Sequence, residues 1–176
     1  MRKLTAIAAL LLAGAALPAA AMTPGEASCP TDLAPAGLAA MAANAVLNFD
    51  EAVGIDPKLD AALDKLTKAC IAREHIAAAK QDDYVRYVMS RLIYSVVKQR
   101  LEAQSISTKV IEDAFDIGRG RRNPKSADLD KEAFTKIMLK MKAGGVDVTQ
   151  LSDQTLNDIS TYIVTAADMY RFADTF

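Results

Sequence analysis

From Pro35 to the C-terminus the apolar residues of this chain recur every three or four positions, and no stretch alternates as a strand would. Because an α-helix turns once in about 3.6 residues, that spacing stacks them along one side of successive helices. The fold class that follows is all-α, a compact bundle of about six amphipathic helices with no repeat, linker or second domain.

The first helix is expected near 36–49, with Leu38, Met41, Ala42, Ala45 and Phe49 inward. Asp56-Pro57 opens the second, Asp as N-cap and Pro at the first helical position, where its missing N–H costs nothing. Leu59, Leu63, Leu66, Cys70 and then Ile76 or Ala77 give its buried stripe. An unbroken helix over 58–103 would be about 69 Å long at 1.5 Å per residue. A domain of this size cannot contain it, so a break is expected near 80–83 with Asp82 or Asp83 as cap. The third helix, 84–103, has Val85, Val88, Met89, Leu92 and Val96 as its apolar stripe. Ser107 caps a short fourth helix stapled by Ile106 and Ile111, and Gly118 ends it. The fifth covers about 129–142, with Phe134, Ile137, Met138 and Met141 inward and Gly144-Gly145 as its stop. Ser152 caps the last, where Leu151 and Leu156 are the staple and Leu156, Ile159, Ile163, Ala167 and Tyr170 the stripe.

Ahead of the helices, Arg2 and Lys3 precede an uncharged run over 4–17, then Pro18 and the small-x-small sequence Ala19-Ala20-Ala21. This is the pattern of a cleaved secretory signal. An uncleaved anchor is the competing reading, but the run falls short of the about 20 residues a spanning helix needs. Cys29 lies too far past the apolar segment for a lipoprotein. The expected organisation is a signal peptide at 1–21, an N-terminal segment at 22–35 tied by Cys29, and a single helical domain at 36–176. The short basic start and Ala-rich run look bacterial, which places the mature protein in the periplasm. With 21 basic and 22 acidic residues the chain carries a formal charge of −1, which argues against nucleic acid as a partner.

The two cysteines, Cys29 and Cys70, lack Cys-x-x-Cys spacing, and the expected compartment oxidises thiols. One structural disulfide is the expectation, with a pair of buried thiols as the alternative.

A single histidine closes most catalytic routes, because zinc sites and Ser-His triads need His with partners that this chain does not visibly supply. His75 and Asp82 would share a face of one continuous helix as a weak metal or acid–base pair. A partly exposed helix-end His is the better reading. No haem-attachment motif, phosphate loop or dinucleotide fingerprint occurs, and no carboxylate pair stands out. No cofactor, metal site or catalytic residue is assigned.

Two surfaces are left as candidates. At 100° per residue, Tyr84, Tyr87, Arg91, Tyr94 and Lys98 fall in one column of the third helix, nearly opposite its aliphatic stripe. Tyrosine and arginine in such a column suit a protein contact, since both bury area and still hydrogen-bond. A central helix packed on both sides is the other explanation. The loop over 118–125 holds Arg119, Arg121, Arg122 and Lys125 with no acid, which suits an acidic partner, a phosphate or anionic lipid headgroups, unless it is merely solvated.

In size, helix content and its single disulfide the chain resembles small exported helical proteins that bind another protein, such as periplasmic immunity proteins, though no specific motif carries the likeness. The expected function is non-catalytic binding to another protein of the cell envelope, as inhibitor or immunity protein, chaperone or accessory subunit. The alternatives are an all-α cell-wall enzyme using carboxylates and a carrier of an apolar ligand.

Overall fold

The helical periodicity is realised throughout. A computed structural model describes residues 21–48, 54–125 and 131–176, and among these there are seven α-helices and no strand. They are α1 (Pro24–Leu33), α2 (Leu38–Leu47), α3 (Pro57–Arg73), α4 (Gln81–Ala103), α5 (Thr108–Phe115), α6 (Lys131–Ala143) and α7 (Asp153–Thr175). Single 3₁₀ turns occupy Ala78–Lys80 and Val148–Gln150. The signal-peptide reading of 1–21 falls, but for Ala21, outside the described residues, as do Phe49 and the expected start of the helix at 129.

The two longest helices, α4 and α7, form the most extensive packing in the molecule, and α2 and α1 lie against α4. α4 is therefore central. Val88, Leu92, Val97 and Leu101 on it are buried, and α7 answers with Ile159, Ile163, Ala166 and Ala167. Arg100 links three helices here: its Nη2 donates to Asn44 Oδ1 on α2 at 2.6 Å, and its Nη1 lies 3.7 Å from the buried Asp158 carboxylate on α7. α6 packs on α5 at the periphery, and Leu139 on it stands 64% exposed.

The segment at 22–35 is more than a tether, because α1 fills it. Thr23 caps it reciprocally: its Oγ1 accepts from the Glu26 N–H at 3.2 Å while Glu26 Oε2 accepts from the Thr23 N–H at 2.6 Å. Pro24 sits at the helix start, where no N–H is needed. The helix has little apolar stripe to read, which is why periodicity passes over it. Cys29 on α1 and Cys70 on α3, both fully buried, form the disulfide. Ahead of α1, the Met22 N–H donates to the Ala173 carbonyl near the end of α7 at 3.0 Å.

Four helices end in the same way. A residue in the left-handed region follows the helix, and the next N–H reaches back five residues: Ile76 to Ile71, Ile106 to Leu101, Ile117 to Glu112 and Val146 to Met141. The left-handed residues are His75 (φ 55°), Ser105 (φ 59°), Asp116 (φ 56°) and Gly145 (φ 92°). This is the Schellman arrangement, in which an apolar residue after the turn folds back onto the helix. Ile76, Ile106 and Ile117 are accordingly buried.

These ends correct several expectations. The break between α3 and α4 comes at 74–80 rather than 80–83, and neither Asp82 nor Asp83 caps α4. No side chain caps its start; Gln81 braces the turn before it, its Nε2 donating to the Ile76 carbonyl at 3.2 Å. α5 ends at Asp116, two residues before Gly118, and Ser107 occupies its N-cap position without a side-chain hydrogen bond. Asp56 and Ser152 do cap α3 and α7, accepting from the N–H groups of Lys58 and Thr155. Met41 and Val85, expected inward, are 45% and 44% exposed.

Candidate functional site

The tyrosine column is set by a defect in α1. Pro30 lies inside that helix and has no N–H to offer the Glu26 carbonyl four residues back. The Tyr84 hydroxyl takes the vacant role, donating to Glu26 O at 2.8 Å, and Tyr87 donates to Ala27 O at 2.9 Å. The two rings stack at 5.9 Å, and Phe176 packs 5.7 Å from Tyr84. One helical stretch further on, Tyr94 stacks on Tyr162 at 5.3 Å and meets Tyr170 edge-on at 6.3 Å.

Tyr84, Tyr87 and Tyr94 are therefore 0%, 2% and 5% exposed, which corrects the reading of the column as an open contact face. Their rings fill the space between α4 and its neighbours, because a phenol buries a large apolar area if its hydroxyl finds an acceptor. Burial pushes the Tyr84 and Tyr87 hydroxyls above the ordinary phenol range; at Tyr87 the guanidinium groups of Arg91 and Arg119 partly offset it. Lys98, half-buried, sits 5.7 Å from the Tyr94 ring and 3.9 Å from Glu102.

What remains of the column opens into a cleft. Pro24, Ala27 and Ser28 of α1, Tyr87 and Arg91 of α4, Met169, Tyr170 and Ala173 of α7, and Arg119 enclose about 220 Å³. Arg91 sits here without an acidic partner: among the described residues no carboxylate lies in ion-pair reach of it. Its Nη1 faces Met169 Sδ at 3.7 Å, its Cζ lies 5.7 Å from the Tyr94 ring, and its buried Nε has no acceptor. Thioether sulfur is a weak acceptor, so this guanidinium is poorly satisfied for a desolvated cation. Arg119 is better provided, with Ala173 O at 3.3 Å and Asp174 Oδ1 at 3.8 Å.

The basic loop is ordered from within by Asn123, which is 3% exposed with φ 47°. Its Oδ1 accepts from the Gly118 N–H at 2.8 Å while its Nδ2 donates to the Gly118 and Arg121 carbonyls. Arg121 pairs with Asp113 at 2.9 Å, and the exposed Arg122 gives its backbone N–H to Asp116. Lys125 is exposed. The loop thus does not present four unpaired cations together. Of the nine residues expected at a binding surface, the structure gathers Tyr87, Arg91 and Arg119 in one cleft and leaves the other six outside it.

Sequence reasoning misses the α1 and Met169 walls. Tyr170 is legible as the last member of the α7 stripe, but nothing in the spacing turns it toward Arg91. His75 is exposed on the turn that ends α3, as a helix-end His, and Asp82 belongs to α4, so the two share no helix face. A second cleft of about 290 Å³, between the ends of α4 and α6 and the start of α7, includes Asp147 but no basic residue. Among the described residues no helix is long and apolar enough to cross a membrane. No protein-family model, curated protein or solved structure matches the chain.

Proposed function

We propose that this is an exported periplasmic protein that acts by binding another protein of the cell envelope without catalysis, as an inhibitor or immunity protein, a chaperone or an accessory subunit. The observation that carries the reading is Arg91: a half-buried cation, short of partners, at the wall of an open cleft. Buried polar groups are ordinarily satisfied within the fold, so one left waiting suits a site completed by something else. The Cys29–Cys70 disulfide supports export, since such bonds persist in oxidising compartments.

The test is a pull-down from periplasmic extract with the exported form of the protein. A stoichiometric protein that is lost with Arg91→Met supports the reading. Co-purifying lipid would favour the carrier alternative, and peptidoglycan turnover abolished by one carboxylate substitution would favour the enzyme. Mass spectrometry of that material should find Met22 at the N-terminus; a chain retaining 1–21 would replace the cleaved signal with the uncleaved anchor.

A further inference from the structure

The charges around the cleft nearly balance except at one point. Arg119 shares its charge with Asp174 and with the Ala173 carbonyl at the negative end of α7. Among the described residues Arg91 shares its charge with no carboxylate; the Met169 sulfur and the Tyr94 ring lie beside it. One positive charge is thus left uncompensated. Pro24, Ala27, Met169 and Ala173 supply the apolar part of the cleft wall, beside Ser28 and the two tyrosines Tyr87 and Tyr170.

We propose that the cleft is a binding site for a single carboxylate that carries a small apolar substituent. The guanidinium of Arg91 meets the carboxylate, and the apolar body lies against Met169 and the α1 wall. A monoanion matches the one unpaired charge, whereas the second charge of a phosphate dianion would have to compete with Asp174 for Arg119. Guanidinium and carboxylate are planar and pair through two parallel N–H···O bonds, which an ammonium cannot reproduce. The volume admits a short branched acid or the last residue of a peptide, and both present this chemistry. The inference rests on the binding reading above and gives its contact a chemical class.

Isotope-labelled protein over 22–176 is titrated, with NMR detection, with isovalerate, N-acetyl-leucine, N-acetyl-leucinamide and inorganic phosphate. Both acids should shift the Arg91 Nε–H resonance saturably, while the amide should not and phosphate should bind roughly tenfold more weakly or less. Tighter binding of N-acetyl-leucine identifies a peptide C-terminus as the source; equal or tighter binding of isovalerate identifies a free acid. Arg91→Met should weaken the acids by roughly tenfold or more, and Arg91→Lys should fall between it and the parent. Should Arg91→Met fail to fold, the lysine variant and the amide control still decide. No saturable shift with either acid, equal binding of the amide, or preference for phosphate overturns the proposal. A protein partner captured equally by Arg91→Met would overturn this site and leave the binding reading standing. Carboxylate binding with no captured partner would do the reverse.

Discussion

The Tyr84 hydroxyl donates to the Glu26 carbonyl at 2.8 Å, at the position of α1 where Pro30 withholds the helix's own donor. A side chain from α4 thus completes the backbone of another helix. Tyr84→Phe should cost about 1–2 kcal/mol, because a carbonyl is left unsatisfied, and Tyr84→Ala about 3–5 kcal/mol through the cavity it leaves. In a Pro30→Ala background the helix regains its N–H, so the Tyr84→Phe cost should shrink. Urea unfolding of the four proteins in that cycle measures the coupling; equal costs in both backgrounds would show that the proline has no part in it.

Reduction of the disulfide should be felt mainly through the unfolded chain. Cys29 and Cys70 are 41 positions apart, and opening a loop of that length removes about 3–4 kcal/mol in the chain-entropy description. Thermal melts with and without a thiol reductant should show a clear drop, and Cys29→Ser with Cys70→Ser should match the reduced protein. An unchanged melting temperature would mean that the bond constrains little.

Alkaline conditions should unfold the protein through its tyrosines. Burial holds the hydroxyls of Tyr84, Tyr162 and Tyr170 above the ordinary phenol range, and a hydrogen bond to Glu112 raises Tyr162 further. The folded state keeps these protons where the unfolded chain releases them, near pH 10. Their contribution is complete below that pH and falls as the pH rises beyond it. Melting temperature should therefore be insensitive to these groups between pH 7 and 9, and tyrosinate absorbance should appear together with loss of helical ellipticity. Tyrosinate formed at Tyr84, Tyr162 or Tyr170 by a still-folded protein near pH 10 would contradict the burial.

Ser105 occupies a left-handed position with φ 59° after α4. Glycine adopts that conformation without the steric cost of a Cβ, so Ser105→Gly should stabilise by about 1 kcal/mol less the extra freedom it gives the unfolded chain. A rise of a few degrees in melting temperature checks this. A fall would mean that the serine side chain contributes more than its backbone strain costs.

These turns show where sequence reading succeeds and where it stops. Gly144-Gly145 announces the end of α6, because glycine is the usual left-handed residue. His75, Ser105 and Asp116 do the same task without announcing it; the only trace is the isoleucine that follows each of them. The helical period of α4 is plain, yet it does not reveal which face is inside. Val85 is 44% exposed while Tyr84 is fully buried, because tyrosine reads as polar until its hydroxyl finds a carbonyl. Arg91 and Arg119 are conspicuous by type, but their meeting depends on α7, which contributes Met169 and Ala173 between them. α1 has too weak a stripe to be seen, so the cleft it walls off is invisible as well.

The hydrogen bond from Met22 to Ala173 brings the two ends of the described fold side by side. Topologically the bundle is almost a ring, and a short linker from Phe176 back to Met22 would close it for circular permutation with new ends cut elsewhere. Mechanically, tension applied at the ends would load that bond first and then peel α1. At Cys29 the covalent link to Cys70 passes the load on, so the chain between the two cysteines would not extend. The α1 wall of the cleft would be lost at the first step of that sequence.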